Sequence, residues 1–168
     1  MTVYYSLLTS PVGDLLLAGD GNALHLIGFP TGKRSAVRQS DWLRNDAVFM
    51  EEKRQLTAYF NGELTEFTLK LSLQGTDFQK SVWNALRAIP YGQTCSYGDI
   101  ARQINRPNAY RAVGAANGQN PLPIIIPCHR VIGSTGKLTG FGGGLPTKEK
   151  LLGLEQRVRT ASSSTAHH

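Results

Sequence analysis

The sequence predicts an α/β (α+β) protein, with a small N-terminal α/β domain built on an antiparallel sheet and a mostly helical C-terminal domain. Short apolar runs separated by glycine- and proline-containing turns fill the first 30 residues and are typical of strands. After residue 75, apolar residues recur at helical spacing, and Gln74-Gly75 separates the two patterns. With 168 residues and 40% hydrophobic content, the chain can build one ordinary core or two small ones packed together. We therefore expect domains at 1–74 and 75–155, followed by a disordered Ser- and Thr-rich tail at 156–168.

The first domain should open with three strands in a meander. Residues 3–8 and 15–18 flank the turn at 10–13, and a third apolar run covers residues 24–29. A helix should follow and end at Asn61-Gly62, which can accept a left-handed conformation, because four apolar residues share one helical face: Phe49, Leu56, Tyr59 and Phe60. A strand from Phe67 to Leu73 should close this unit.

Two capping boxes mark helix starts in the second domain. Thr76 with Gln79 opens a helix, and Ser96 with Asp99 opens a shorter one. The segment 105–117 contains a tight turn followed by a further helix. Two short helices joined by such a turn predict a helix-turn-helix in a winged-helix-like domain.

The second helix of this motif is unusually thin, because it is built mainly from small residues: Ala109, Ala112, Gly114, Ala115 and Ala116. A glycine inside a helix costs roughly 1 kcal/mol relative to alanine, so some other interaction must offset it. One interpretation is close packing against a neighbouring helix. The other is close approach to a DNA groove, and a slim helix would suit the narrow minor groove.

The net charge of +6 lies mostly in the second domain. Residues 1–74 carry seven Lys and Arg against eight Asp and Glu, whereas residues 75–155 carry nine against four. A basic domain attracts a polyanion such as nucleic acid, although the same charge also suits an ordinary solvated surface.

The sequence carries no sign of a membrane span, a signal peptide or a metal site. No run of 18 apolar residues is present, and the first residues lack a basic region followed by an apolar core. We therefore expect a cytoplasmic protein without membrane contact. Cys95 and Cys128 are too few for a disulfide framework and lack the paired spacing of a zinc site, so we expect free thiols, no metal and no cofactor.

The segment 124–131 delivers Cys128, His129 and Arg130 in succession after an apolar run. A strand this apolar normally ends in a turn, so three reactive side chains at its exit are placed for chemistry. Cysteine is only a few per cent ionised at neutral pH, so Cys128 needs a base to become a nucleophile. His129 is the natural base, but neighbours in an extended chain point to opposite faces, so we expect a water to bridge the two.

Five ordered motifs resemble those of the O6-alkylguanine-DNA alkyltransferase family. They are Arg111-Ala112-Val113-Gly114, Asn120-Pro121, Pro127-Cys128-His129-Arg130-Val131, Gly143-Gly144 and Glu155. The resemblance is dense from about Thr76 to Glu155 and weaker but consistent before that. It implies a ribonuclease H-like N-terminal domain that supports a C-terminal DNA-binding and active-site domain. The implied partner is double-stranded DNA that contains O6-alkylguanine.

By this resemblance, Cys128 takes the alkyl group from guanine O6 in one in-line step. His129 acts on the cysteine through water, Glu155 orients His129, and Asn120 ties the helix-turn-helix to the cysteine segment. The S-alkylcysteine product has no good leaving group, so each molecule should act only once. O4-alkylthymine is a further expected substrate.

The resemblance also implies that the damaged nucleotide is rotated out of the duplex. Arg111, with Ala112 beside it, would fill the vacated space, and Tyr97 would crowd the 3′ phosphate. The protein is expected to be a monomer in solution that can cluster on DNA.

A pocket for the extruded base should lie around the nucleophile. The resemblance assigns its guanine-reading backbone groups to Cys128, Val131 and Gly142, and its wall to the loop containing Phe141 and Gly143. Phe141 stands where tyrosine is frequent, and Gly142 replaces a residue with a side chain. The pocket's tolerance for bulky alkyl groups therefore stays open.

Two other classes of function use part of the same residue set. A non-catalytic lesion sensor or DNA-binding regulator would need the helix-turn-helix, but alkyltransferase-like proteins of that kind lack the cysteine that Cys128 supplies here. A cysteine hydrolase would explain Cys128, His129 and Glu155, but it predicts multiple turnovers and no need for Arg111. We expect repair, with the sensor as the second hypothesis.

Overall fold

A computed structural model describes residues 2–30, 38–133 and 144–166. Within these ranges the elements follow in the order β1 Tyr4–Ser10, β2 Gly13–Gly19, β3 Leu24–Gly28, β4 Leu43–Arg44, α1 Met50–Phe60, α2 Asp77–Arg87, β5 Cys95–Ser96, α3 Tyr97–Gln103, α4 Tyr110–Gly118, β6 Val131–Ile132 and α5 Leu145–Ala166. This order confirms the predicted α+β architecture, with a sheet first and helices after it. None of the helices in these ranges is both long and apolar enough to cross a bilayer.

The N-terminal sheet has the strand order β3-β2-β1-β4. β1 and β2 form an antiparallel hairpin from Tyr4 opposite Gly19 to Ser10 opposite Gly13. Gly13 has a φ of +98°, a backbone conformation that glycine adopts at no steric cost. The antiparallel meander of β1 to β3 is as predicted, and the two-residue β4 adds a parallel pair at the β1 edge.

The strand predicted from Phe67 to Leu73 is reduced to an isolated bridge between Leu24 and Leu71. Leu24 N donates to Lys70 O, but farther along β3 the Ile27 amide donates to Pro121 O instead. Because the edge of β3 is shared between these two segments, the ladder with 67–73 cannot extend. The alternation of half-buried and exposed residues in this segment therefore reflects an extended cover over the core.

Both capping boxes form as predicted. Thr76 Oγ1 accepts from Gln79 N at 3.1 Å, while Thr76 N donates to the Gln79 side chain at 2.9 Å. Ser96 and Asp99 make the same reciprocal pair at the start of α3. These bonds satisfy amides that the first turn of a helix otherwise leaves unpaired.

α3 and α4 form the predicted helix-turn-helix. α3 ends at Gln103, and Asn105, just after its C-cap, has a φ of +62°, the left-handed conformation that asparagine tolerates. Arg106 N then donates to Ala101 O at 2.8 Å, which closes the helix end in the manner of a Schellman motif. β5 lies directly before α3 and pairs in parallel with β6, with Cys95 opposite Val131. The pairing holds the helix-turn-helix beside the chain that follows Cys128.

The buried apolar side chains form one continuous cluster, which is the first of the two predicted core alternatives. The cluster runs from Leu15 on β2 through Leu56 on α1 and Trp83 on α2 to Leu151 on α5. Trp83 Nε1 donates to Ala116 O at 2.9 Å, so α2 is fixed against α4 by a buried hydrogen bond as well as by packing.

The predicted disordered tail at 156–168 is wrong over the residues that the structure describes, because α5 continues to Ala166. The helical turn of α5 that follows Glu155 makes two contacts that stabilise it. Arg159 Nη1 donates to Gly92 O at 3.1 Å. A Cβ placed on Gly62 would meet Val158 Cγ2 at 2.9 Å. The helix is therefore held against two turns that lie far away in sequence.

Candidate active site

The apolar run before Cys128 is a compact loop and not the predicted strand. Its only pairing within the described chain is a bridge between Pro123 and Ile126. Prolines at 121, 123 and 127 lack the amide that a strand ladder requires. Ile124 is fully buried with a φ of +77°, a strained conformation for a β-branched residue. The loop ends in the 3-10 turn Cys128–Arg130, so Cys128 and His129 do not alternate as in a strand.

Asparagines at the end of α4 fix this loop. Asn120 Nδ2 donates to Ile126 O at 2.8 Å, and Asn120 Oδ1 accepts from Leu122 N at 2.9 Å. Asn117, one turn earlier, places Nδ2 3.5 Å from Cys128 O. The helix-turn-helix and the cysteine are thus joined by hydrogen bonds. Asn117 was not predicted as a site residue, although its spacing of three from Asn120 puts both near one face.

Cys128 is almost completely buried. Burial raises the pKa of its thiol to about 11, against opposing effects from a hydrogen bond with Asn120 and the positive charge of Lys148. At neutral pH the resting form is therefore the thiol, and transfer chemistry needs a group that removes its proton.

His129 is buried and oriented by a carboxylate. Its Nε2 lies 2.6 Å from Glu155 Oε2, and both side chains are at most 1% exposed. Burial lowers the pKa of His129 more than Glu155 raises it, so the imidazole is neutral. A neutral ring that donates from Nε2 to a carboxylate carries its lone pair on Nδ1. Nδ1 is buried and makes no hydrogen bond within the described residues. It is the atom available to accept a proton.

Glu155 is the centre of a buried polar network. Oε1 accepts from Arg130 Nε at 2.8 Å and from Gly92 N at 3.1 Å. Oε2 accepts from His129 Nε2 at 2.6 Å, Tyr59 OH at 2.6 Å and Arg130 Nη2 at 3.0 Å. Burial alone would raise the pKa of Glu155, but the bonds from His129 and Arg130 outweigh it and lower the pKa to about 2. The carboxylate is therefore ionised and balanced by one guanidinium.

Besides Asn117, two buried residues of the site were not predicted, and a third, Arg130, was placed at the site by its position after His129 but was given no role. Lys148 is fully buried and donates from Nζ to Val131 O at 2.6 Å. It precedes Glu155 by seven residues on α5, the spacing of one helical face, which was an available signal. Tyr59 had been assigned only to the core, and no local pattern connects it with a carboxylate 96 residues away.

The predicted DNA-contacting residues lie on the helix-turn-helix. Arg111 and Ala112 are exposed in the first turn of α4. Tyr97 is the half-buried first residue of α3, and a Cβ added to Gly114 would lie 3.8 Å from its ring. Val131 lies outside this motif and is buried in β6, directly after the turn that contains Cys128. Asn120 leads from the end of α4 to the Cys128 loop, so one short stretch of chain joins the surface to the site.

Family models match nearly the whole chain. Residues 3–73 match the 6-O-methylguanine DNA methyltransferase ribonuclease-like domain, and residues 77–157 match the DNA-binding domain of the same name. The chain belongs to the 6-O-methylguanine DNA methyltransferase family. This membership confirms the predicted resemblance, the methyltransferase class and the DNA-binding character of the second half.

Individual relatives of the 6-O-methylguanine DNA methyltransferase family match over more than nine tenths of their own lengths. A methylated-DNA–protein-cysteine methyltransferase of Methanosarcina acetivorans is 54% identical over 91% of this chain and 98% of its own. One of the same name from Mycobacterium tuberculosis is 52% identical over 92% and 93%. A crystal structure of Mycobacterium tuberculosis OGT in complex with DNA superposes with a TM-score of 0.87 at 51% identity, covering 92% of this chain and 94% of that one.

Among the residues predicted for this family's site, the structure brings together Cys128, His129, Asn120 and Glu155. Phe141, Gly142 and Gly143 lie outside the described residues, so the predicted pocket wall stays a prediction. Within the described ranges, no group of three His, Cys, Asp or Glu side chains could hold a metal ion.

Proposed function

We propose that this chain repairs O6-alkylguanine in double-stranded DNA by transferring the alkyl group to Cys128 Sγ, once per molecule. The observation that carries the proposal is the hydrogen bond from His129 Nε2 to Glu155, which leaves Nδ1 with its lone pair in the turn that contains Cys128. A neutral buried base beside a protonated buried thiol is suited to proton removal during attack.

The step conserves atoms and charge. The thiol proton passes through a bridging water to His129 Nδ1, and the Sγ electron pair forms a bond to the alkyl carbon. The bond between that carbon and guanine O6 breaks, its electrons stay on the base, and the base takes one proton from water, which regains a proton from the His129 imidazolium. Glu155 stabilises the transient imidazolium, because its carboxylate already accepts from Nε2. The net change exchanges the alkyl group for a hydrogen.

The thioether explains the single turnover. It is neither a thioester that water can hydrolyse nor a salt with a good leaving group, so no step returns Cys128 to the thiol. A buried nucleophile is also protected from other alkylating agents in solution.

The burial of the Cys128 thiol supports the proposal that the damaged nucleotide is extruded from the duplex. Cys128 is only 4% exposed, so O6 within a base stack cannot reach its Sγ. Arg111 is exposed at the start of α4, where it can replace the extruded base, and Tyr97 lies half-buried at the start of α3, where it can contact the backbone beside the lesion. The same pocket would take O4-alkylthymine, and a monomer suffices for the reaction.

The test is intact mass and peptide mapping after the protein is mixed with excess duplex carrying one O6-methylguanine. We expect one methyl group on Cys128 and no further gain with time. Cys95 is an internal control, because burial raises its pKa to about 11 as well, but no histidine faces it in the described chain. Cys128→Ser should bind the duplex without gaining mass, whereas Cys95→Ser should react normally.

Other outcomes would contradict the proposal. An unchanged mass with tight lesion binding would identify a lesion sensor. Release of the methyl group to water over many cycles would identify a hydrolase.

A further inference from the structure

Tyr59 connects the first half of the chain to the catalytic network. It lies on α1, its side chain is fully buried, and its hydroxyl donates to Glu155 Oε2 at 2.6 Å. His129 Nε2 binds the same oxygen at the same distance. The residues that match the DNA-binding domain begin only at 77, so this hydroxyl comes from outside that domain.

The position of the phenol is rigidly defined. Its ring packs against Phe67 with centroids 5.5 Å apart and against Tyr91 with centroids 6.2 Å apart. An aromatic side chain held on both sides has little freedom to turn its hydroxyl elsewhere. Tyr59 therefore fixes where Glu155 Oε2 lies, and through it the plane of the His129 ring.

We propose that Tyr59 is a positioning residue for alkyl transfer, which sets how strongly Glu155 holds the proton on His129 Nε2. This inference rests on the proposed function. Two donors share one oxygen, so the hydrogen bond from Tyr59 withdraws electron density that would otherwise strengthen the bond to His129. The N-terminal half thus tunes the base as well as supporting the fold.

The sign of the effect follows from this competition. Without the Tyr59 hydroxyl, Glu155 stabilises the imidazolium more strongly, so His129 protonates at higher pH and its Nδ1 is lost as a base sooner on acidification. The acidic limb of the rate profile should therefore move to higher pH.

The other groups around His129 and Glu155 do not account for the acidic limb of the rate profile. Glu155 is also faced by Arg130, Tyr91 and the Gly92 amide, and His129 by Arg130 and Lys148. The pKa of Tyr91 is raised by burial, and the pKa of Glu155 is about 2, so neither titrates near neutrality. Burial raises the pKa of the Cys128 thiol to about 11, so that group titrates on the alkaline side, and burial lowers the pKa of Lys148.

The experiment measures single-turnover methyl transfer from an O6-methylguanine duplex between pH 5 and 9. Tyr59→Phe removes only the hydroxyl. The acidic limb of its rate–pH profile should move up by about half a pH unit or more, so on the acidic side the variant should react several-fold more slowly than the unmodified chain. Tyr91→Phe is the matched control. Its hydroxyl is buried in the same aromatic cluster but makes no hydrogen bond within the described residues, so its limb should match that of the unmodified chain.

Replacement of Tyr59 by 3-fluorotyrosine tests the idea without removing the bond. The fluorinated phenol is a stronger donor in a ring of nearly the same size, so the limb should move to lower pH. This second variant also serves if Tyr59→Phe does not fold.

Each outcome separates this inference from the proposed function. Transfer by the unmodified chain together with unshifted limbs in both Tyr59 variants would overturn the positioning role alone. A lower melting temperature with an unshifted limb would assign Tyr59 a purely structural role. Equal shifts in Tyr59→Phe and Tyr91→Phe would also contradict the inference. No transfer by the unmodified chain would overturn the proposed function.

Discussion

A single buried carboxylate organises the active site at the level of residues. Glu155 accepts five hydrogen bonds, from His129, Tyr59, Gly92 and twice from Arg130. Because Arg130 supplies one positive charge and His129 is neutral, the network carries no net charge, which makes its burial tolerable. Changes at this position should therefore affect both chemistry and stability.

Replacing Glu155 by Gln tests both roles. The amide keeps the volume but leaves the Arg130 charge buried without a counter-charge, which costs about 3–5 kcal/mol of folding free energy. It also no longer fixes the tautomer of His129, so methyl transfer should slow at least about 100-fold. Glu149→Gln removes an exposed carboxylate from the same helix and should leave both quantities unchanged. Denaturant unfolding measures the stability, and single-turnover kinetics measure the rate of methyl transfer. A normal transfer rate in Glu155→Gln would exclude the orienting role of Glu155.

Lys148 provides a positive charge that acts on the Cys128 thiol. Its charge lowers the pKa of Cys128 against the effect of burial. Lys148→Met removes the charge while keeping an unbranched side chain, so the thiolate becomes scarcer and transfer should slow about tenfold at pH 7. The deficit should shrink as pH rises. Lys150→Met, which removes an exposed charge two residues later, is the matched control. A rate deficit independent of pH would contradict this electrostatic role.

The sequence was sufficient for the residues that lie in motifs. Cys128 and His129 were named from the residues themselves, Asn120 and Glu155 were named from the family resemblance, and the structure brings the four together. Tyr59 and Lys148 were missed because their role depends on a tertiary contact. A tyrosine in an apolar helical face looks the same whether its hydroxyl meets water or a buried carboxylate. Only the packing of α1 against α5 distinguishes these cases.

At the level of elements, local signals were reliable where they satisfy backbone groups. Both capping boxes and the left-handed Gly62, with a φ of +76°, were predicted because each involves residues close in sequence. The strand at 67–73 and the apolar run before Cys128 were misassigned. Hydrophobic pattern does not reveal whether a partner edge is free, as at β3, or whether prolines exclude a ladder, as at Pro123 and Pro127.

The thin helix α4 can now be interpreted from its surroundings. A Cβ on Gly114 would meet only the Tyr97 ring, at an ordinary contact distance of 3.8 Å. Close helix packing therefore does not require this glycine. Gly114 lies about one turn after Arg111 on the helix, which favours the interpretation that it permits close approach to DNA.

Gly114→Ala separates the two interpretations. Because alanine favours helix more than glycine does, the free energy of unfolding should rise by up to about 1 kcal/mol. The added methyl group should nevertheless weaken duplex binding several-fold. Gly118→Ala, at the end of α4 with no atom within 4 Å of the new Cβ, should bind DNA normally. Thermal melts and binding titrations at fixed salt give the two readouts. A destabilised Gly114→Ala would support the packing interpretation instead.

For the whole molecule, the two halves share one core and one polar network. The cluster passes from β2 to α5 without interruption, and Tyr59 and Glu155 join α1 to α5. Such continuity predicts that unfolding is a single cooperative transition. It also means that the ionisation of the buried network affects the stability of the entire chain.

Stability should therefore fall on acidification in two stages. Burial lowers the pKa of His129 below its ordinary 6.5. Below pH 6.5 the imidazole therefore takes up a proton in the unfolded chain but not in the folded chain, and stability begins to decline. The pKa of Glu155 is lowered from 4.5 to about 2, so its contribution is complete above 4.5 and is lost as pH falls toward 2. Between pH 7 and 9 neither group changes its charge. Above pH 9 stability should fall again, because burial raises the pKa of the Cys128 and Cys95 thiols from 9 to about 11, and the unfolded chain releases those protons first.

Melting temperature against pH, for the unmodified chain and for His129→Gln, measures this dependence. The variant cannot take up a proton at 129, so its decline between pH 6.5 and 4.5 should be shallower, while the steeper loss below 4.5 should remain. His25→Gln is the control, because His25 is half-buried and lies 3.4 Å from Asp20, far in sequence from the network. Its curve should parallel that of the unmodified chain. If His129→Gln retained the full decline above pH 4.5, the buried imidazole would not be held neutral by the fold, and His129 would not be available as the base in the form that the geometry assigns to it.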